Sequence, residues 1–113
     1  MNDLKYILLI TTFVTSTLVT AAEWHKIDGI YAITSKNMVS PVEDSHLKIQ
    51  LKGKPAKDLF KAMKVNEIVD ECTGAMSKTV GEMSCFYYAS TKKYECHFSI
   101  DIMQQNIEYG MPC

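Results

Sequence analysis

From residue 94 to 102 apolar and polar side chains alternate without a break. Tyr94, Cys96, Phe98, Ile100 and Ile102 fall on one side, and Glu95, His97, Ser99 and Asp101 on the other. A period of two predicts a half-buried β-strand. Residues 46–52 alternate in the same way, with Leu47, Ile49 and Leu51 between His46, Lys48, Gln50 and Lys52. Residues 80–89, rich in aromatic and β-branched side chains, predict a further strand, and 27–34 another. If the turn is centred on Ser90 and Thr91, Cys85 faces Cys96, Tyr87 faces Tyr94 and Met83 faces Phe98. One alignment then puts every apolar member on the same face, the condition that fixes register. Ser90–Thr91 is the expected tip; Ser-Thr is not the favoured composition for a two-residue turn, and a longer loop with the same centre is the alternative.

The period changes after Gly53. Ala56, Leu59, Phe60 and Met63 recur at helical spacing, with Lys57, Asp58, Lys61 and Lys64 facing away. An amphipathic helix over 55–64 follows, with Pro55 in its first turn. The apolar phase breaks at Val65 and resumes with Ile68, Val69 and Cys72, which predicts a second short helix from an Asn66 cap to a stop at Gly74. A short strand is expected at 107–109. The fold class that emerges is α+β: a small, mostly antiparallel sheet in the order β-β-α-β-β, with one amphipathic helix packed on one face. The expected core is Leu47, Ile49, Leu51, Leu59, Phe60, Met63, Tyr87, Tyr94, Phe98 and Ile100.

The N-terminal pattern is different in kind. Lys5 precedes an apolar run over 7–19 that ends in Thr20, Ala21 and Ala22. A basic start, a short apolar middle and a small-residue exit describe a secretory signal peptide. The run falls short of the roughly 20 apolar residues a membrane span needs. Residues 1–22 are therefore expected to be removed, with a cut after Ala21 or after Ala22, leaving 23–113 as one domain of about 90 residues in the periplasm or outside the cell.

Four cysteines in so short a chain, Cys72, Cys85, Cys96 and Cys113, predict disulfides in an oxidising compartment. None lies two to four residues from another, the spacing of a zinc site. Of three possible pairings, the hairpin alignment favours Cys85 with Cys96, because opposed strand residues lie within disulfide range. Cys72 with Cys113 then closes a loop of about 40 residues, worth on the order of 4 kcal/mol on the chain-entropy account. The two other pairings cross-link the hairpin to the tail and to the helical region. No Cys-x-x-Cys motif is present, so the bridges are expected to be structural.

Charge adds exclusions. The formal net charge is −1, the basic residues are all lysines, and they are interspersed with acids. Nucleic-acid binding needs a basic stripe, and surface binding to an anionic membrane a polybasic face. Neither is present, and no membrane association is expected once the leader is gone.

Candidate chemistry is sparse. Glu95, His97, Ser99 and Asp101 are hydrolase residue types, with Ser84 opposite His97. Same-face neighbours on a strand stand nearly 7 Å apart, too far for a relay, and no nucleophile elbow is present. A solvated strand face is the expectation, and no catalytic residue is assigned. His25, His46 and His97 are expected at the surface, each alone. Cleavage after Ala22 would leave Glu23-Trp24-His25 as a possible square-planar Cu(II) or Ni(II) binder, a pattern common by chance. No resident metal or cofactor is expected.

Phe86 and Tyr88 point away from the core set, beside Lys93, Glu95 and His97. Aromatics rimmed by charge form a candidate partner-binding patch, unless the first strand or the tail covers them. The functional expectation is a small exported, non-enzymatic binding module, such as an inhibitor or immunity-type protein, acting on another protein. The alternatives are a structural envelope component and a small secreted enzyme or toxin.

Overall fold

A computed structural model describes residues 22–39 and 43–110. The leader expected over 1–22 (Ala22 excepted) and Cys113 lie outside the described residues. The element order is β1 (Gly29–Thr34), β2 (His46–Lys52), α1 (Gly53–Ala62), β3 (Ile68–Val69), β4 (Met76–Val80), β5 (Met83–Tyr88), β6 (Lys93–Asp101) and β7 (Asn106–Glu108). All pairings are antiparallel, in the order β1-β2-β6-β5-β4-β3. β7 joins the flank of β6 beyond the end of β5, so β6 pairs with β5 through His97 and with β7 from Ser99. The described residues form a small α+β domain with one helix on a mostly antiparallel sheet.

The β5–β6 register is the expected one, with Cys85 opposite Cys96 and Tyr87 opposite Tyr94. Those two cysteines form a disulfide. Tyr88 pairs with Lys93, so the tip is a four-residue loop in which Lys92 adopts φ 57° and its amide bonds the Tyr88 carbonyl at 2.7 Å. Cys72 is also disulfide-bonded; Cys113, its expected partner, is not among the described residues.

Two expected elements differ. Residues 80–89 are not one strand, because Gly81 and Glu82 form a two-residue turn between Val80 and Met83. Gly81 takes φ 61°, which the first position of a type II′ turn requires and which glycine adopts without steric cost. The predicted helix at 66–74 is instead β3 followed by a turn. Ile68 and Val69 are β-branched and exposed, so no apolar face holds a helix there. Asp70 organises the turn: its Oδ2 accepts from the Thr73 amide (2.8 Å) and Thr73 Oγ1 (2.6 Å), and its carbonyl accepts from Gly74 N (2.7 Å). Asx chemistry of this kind competes with helix wherever a short polar side chain reaches the backbone ahead.

Helix α1 leaves β2 directly and folds back over the end of the sheet where the disulfide lies. Ala56, Phe60, Met63, Cys85 and Cys96 are its buried centre, with Leu51, Leu59, Met83, Tyr87 and Tyr94 packed around them. The Phe60 and Tyr94 rings meet edge to face at 5.3 Å. Leu47, Ile49, Phe98 and Ile100, expected in the core, are only half-buried. Length explains this correction. Ten helical residues span about 15 Å, whereas nine strand residues span about 30 Å. The helix cannot cover the whole sheet.

Candidate functional site

The five residues expected to form a partner patch do share one face. Phe86 stands opposite Glu95, Tyr88 opposite Lys93, and His97 opposite Ser84. The face is not open, however. Phe86 is 1% exposed and His97 9%, Tyr88 and Glu95 are half-buried, and only Lys93 is exposed. Phe86 packs edge to face on His97 at 5.8 Å. The Tyr88 hydroxyl pKa is raised chiefly by burial, then by the charges of Glu95 and Asp70, with Thr73 of the Asp70 turn opposing the shift. Tyr109, raised by burial, also senses Asp70. The turn and the tail therefore converge on this side of the sheet. Gly110 runs against the backbone of Phe98, where an added Cβ would lie 2.6 Å from N, Cα and C. The tail leaves the sheet there because Ser84 already occupies the flank of His97.

This second face is a packed polar layer, where a solvated surface was expected. Ser77, Ser84 and Ser99 are 4%, 2% and 1% exposed. Ser84 Oγ lies 3.0 Å from Thr79 Oγ1, a hydroxyl pair across β4 and β5. Ser77 Oγ donates to the Ile68 carbonyl at 3.2 Å. Glu95 Oε2 accepts from Gln50 Nε2 and pairs with His97 Nε2, each at 3.4 Å. Burial lowers the His97 pKa below its ordinary 6.5, and the Glu95 carboxylate opposes that shift. Among the described residues no buried side-chain polar atom lacks a partner, the condition under which a buried polar layer is tolerated.

His46 also departs from expectation, being 6% exposed. Its Nδ1 lies 2.8 Å from Ser45 Oγ, and its Nε2 is 3.0 Å from Glu108 Oε2 and 3.7 Å from Asp101 Oδ2. His46 and Asp101 are opposed across β2 and β6, and Glu108 reaches them from β7. More than fifty residues separate His46 from either acid, so no local motif marks them. Only the cross-strand register brings them together.

An exposed apolar surface lies on the helix side, beyond the reach of α1. Two rows cross the strands there: Tyr31, Ile49 and Phe98 in one, and Ile33, Leu47, Ile100 and Ile107 in the other. Tyr31 is 75% exposed, Ile33 44% and Ile107 47%. Ile27, itself 75% exposed, lines a shallow cleft of about 220 Å³ with Gly29, Tyr31, Leu47, Ile49 and Leu51. β1 is the outer strand of the sheet at this side, and its six residues, Gly-Ile-Tyr-Ala-Ile-Thr, carry no charge and no proline. Natural edge strands are commonly blunted by one or the other. Among the described residues no helix is long and apolar enough to cross a membrane.

Comparison with family models, with curated proteins and with solved structures finds no match.

Proposed function

We propose that the chain acts as a small exported, non-enzymatic binding module that engages another protein through the edge of β1, which pairs only with β2 among the described residues, and the exposed apolar rows beside it. The observation that carries this reading is the exposure of Tyr31, Ile33 and Ile107 on one continuous face. Contiguous apolar surface bordering an open strand edge suits a partner that adds an extended segment: main-chain hydrogen bonds supply affinity and alternate side chains supply specificity. The paired cysteines favour an oxidising compartment. The proposed contact surface thus moves from the hairpin's polar face, where Phe86 is buried, to β1 and β2.

The test uses the mature, disulfide-bonded chain as bait in the exported protein fraction of its own cells, beside a Tyr31→Glu, Ile33→Lys variant. Both positions are exposed, so the thermal midpoint should move little. The parent is expected to retain a protein that the variant loses. Equal recovery by both baits would overturn the proposal, as would a parent that sediments as a dimer which the variant does not form.

A further inference from the structure

We propose that His46, Asp101 and Glu108 form a binding site for a divalent cation of the zinc class. One donor atom from each of His46, Asp101 and Glu108 lies within 4.8 Å of the other two. Zinc binds imidazole nitrogen and carboxylate oxygen at about 2.0–2.2 Å, which sets neighbouring donors roughly 3.0–3.5 Å apart around one ion. The His46–Glu108 distance of 3.0 Å already meets that spacing. The His46–Asp101 distance of 3.7 Å meets it after a shift of a few tenths of an ångström.

The supporting contacts favour coordination as well. Asp101 divides its carboxylate: Oδ1 accepts from the Met103 and Gln104 amides, each at 3.0 Å, and fixes the β6–β7 turn, while Oδ2 faces His46. Ser45 Oγ, at 2.8 Å from Nδ1, holds the imidazole by its far nitrogen and leaves Nε2 on the side of the two acids, 3.0 Å from Glu108 Oε2; with an ion bound, Nδ1–H would donate to Ser45 and Nε2 would ligate in place of its contact with Glu108. An imidazole anchored through its other ring nitrogen, beside carboxylates with hydrogen bonds of their own, is the outer-shell arrangement of metal sites. As ligands, one imidazole and two carboxylates would supply a formal charge of −2, which a divalent ion neutralises.

The donor chemistry narrows the ion. One nitrogen with two oxygens suits a borderline metal; a soft ion such as Cu(I) wants thiolates, and calcium or magnesium wants oxygen throughout. Water would complete the coordination, entering from the carboxylate side. The Asp101 and Glu108 side chains are 15% and 24% exposed, against 7% for His46. An ion here would join β2, β6 and β7 at the end of the sheet that α1 does not cover, opposite the disulfide.

The experiment titrates ZnCl₂ into the disulfide-bonded mature chain carrying His25→Ala, which silences the N-terminal histidine. Calorimetry and thermal unfolding are followed near neutral pH in a non-coordinating buffer. One zinc per chain is expected, with a midpoint that rises with zinc concentration. Glu108→Gln, at a half-exposed position that keeps the fold, should bind about tenfold more weakly or worse, and His46→Gln likewise. Asp58→Asn, at an exposed carboxylate elsewhere, should match the parent. Imidazole nitrogen resonances should shift at His46 and stay fixed at His97. No saturable binding by the parent at millimolar zinc, undiminished binding by Glu108→Gln, or a shift at His97 in place of His46 would each overturn the proposal.

Discussion

Lys78 ties the helix to the sheet in a way that can be measured. It stands on β4 opposite Cys85 and extends toward the C-terminal end of α1. Its ammonium donates to the carbonyls of Phe60 (3.1 Å) and Met63 (3.2 Å) and sits 4.5 Å from the centroid of the Phe60 ring. The last carbonyls of a helix have no partner within it, and a cation there also opposes the negative end of the helix dipole. Lys78→Met keeps most of the apolar stem and removes the charge. Hydrogen bonds to charged groups are worth about 1.5–3 kcal/mol. Lys78 is only half-buried, so solvent screening and water access to the freed carbonyls reduce the sum of two bonds and a cation–π contact to about 2 kcal/mol. For a domain of this size that loss corresponds to a fall in Tm of about 8–16 °C. Thermal unfolding of the disulfide-bonded mature chain at pH 7, followed by far-UV circular dichroism, reads it directly. Lys61→Met, at an exposed lysine in the last helical turn, serves as the control and should be nearly neutral. A Lys78→Met variant within about 0.5 kcal/mol of the parent, the ordinary range for surface changes, would refute this account of how the helix is held.

Two further outcomes follow from the polar face. Because burial lowers the His97 pKa, the unfolded chain takes up the proton first as pH falls. Stability is therefore complete above the ordinary value of 6.5 and declines below it until the folded pKa is passed; His97→Gln should flatten this slope between pH 7 and 5 in urea titrations, and an unchanged slope would contradict it. Gly110→Ala places a methyl group against main-chain atoms of Phe98 that cannot yield, and should cost about 1–3 kcal/mol. A lower urea midpoint and faster amide exchange in β7 are the expected signs, and a variant indistinguishable from the parent in both would show that the tail does not press on β6.

The parts of the fold legible in the sequence were those with unbroken periodicity. Residues 46–52 and 94–102 alternate along their whole length, and the structure places β2 and β6 on them side by side. The cysteine alignment was legible because three apolar pairs agreed on one register. Gly81 was missed as a turn because the aromatic residues after it carry a strand signal across it. The second helix was expected because Ile68, Val69 and Cys72 happen to satisfy helical spacing, while the decisive interaction, Asp70 with Thr73, is local polar chemistry. A covering tail was foreseen as one alternative for Phe86 and Tyr88, but the burial of His97 and the part played by the turn near residue 70 were not legible. Alternation separates the two faces of a strand without saying what lies over either, and here the cover comes from a turn near residue 70 and a tail near 110. The His46 cluster was hidden for a related reason. Glu108 belongs to a three-residue strand whose partner no periodicity could assign.

The position of β6 between neighbours from distant parts of the chain sets a schedule for assembly. Its bond to β5 closes a loop of sequence separation 11, whereas its bonds to β2 join residues more than forty apart. Short loops lose little chain entropy on closing and form within microseconds, and distant strand pairings come later. The sulfur pair is thus aligned by the short-range hairpin itself, so the geometry an oxidant needs does not depend on the long-range half of the sheet having been found.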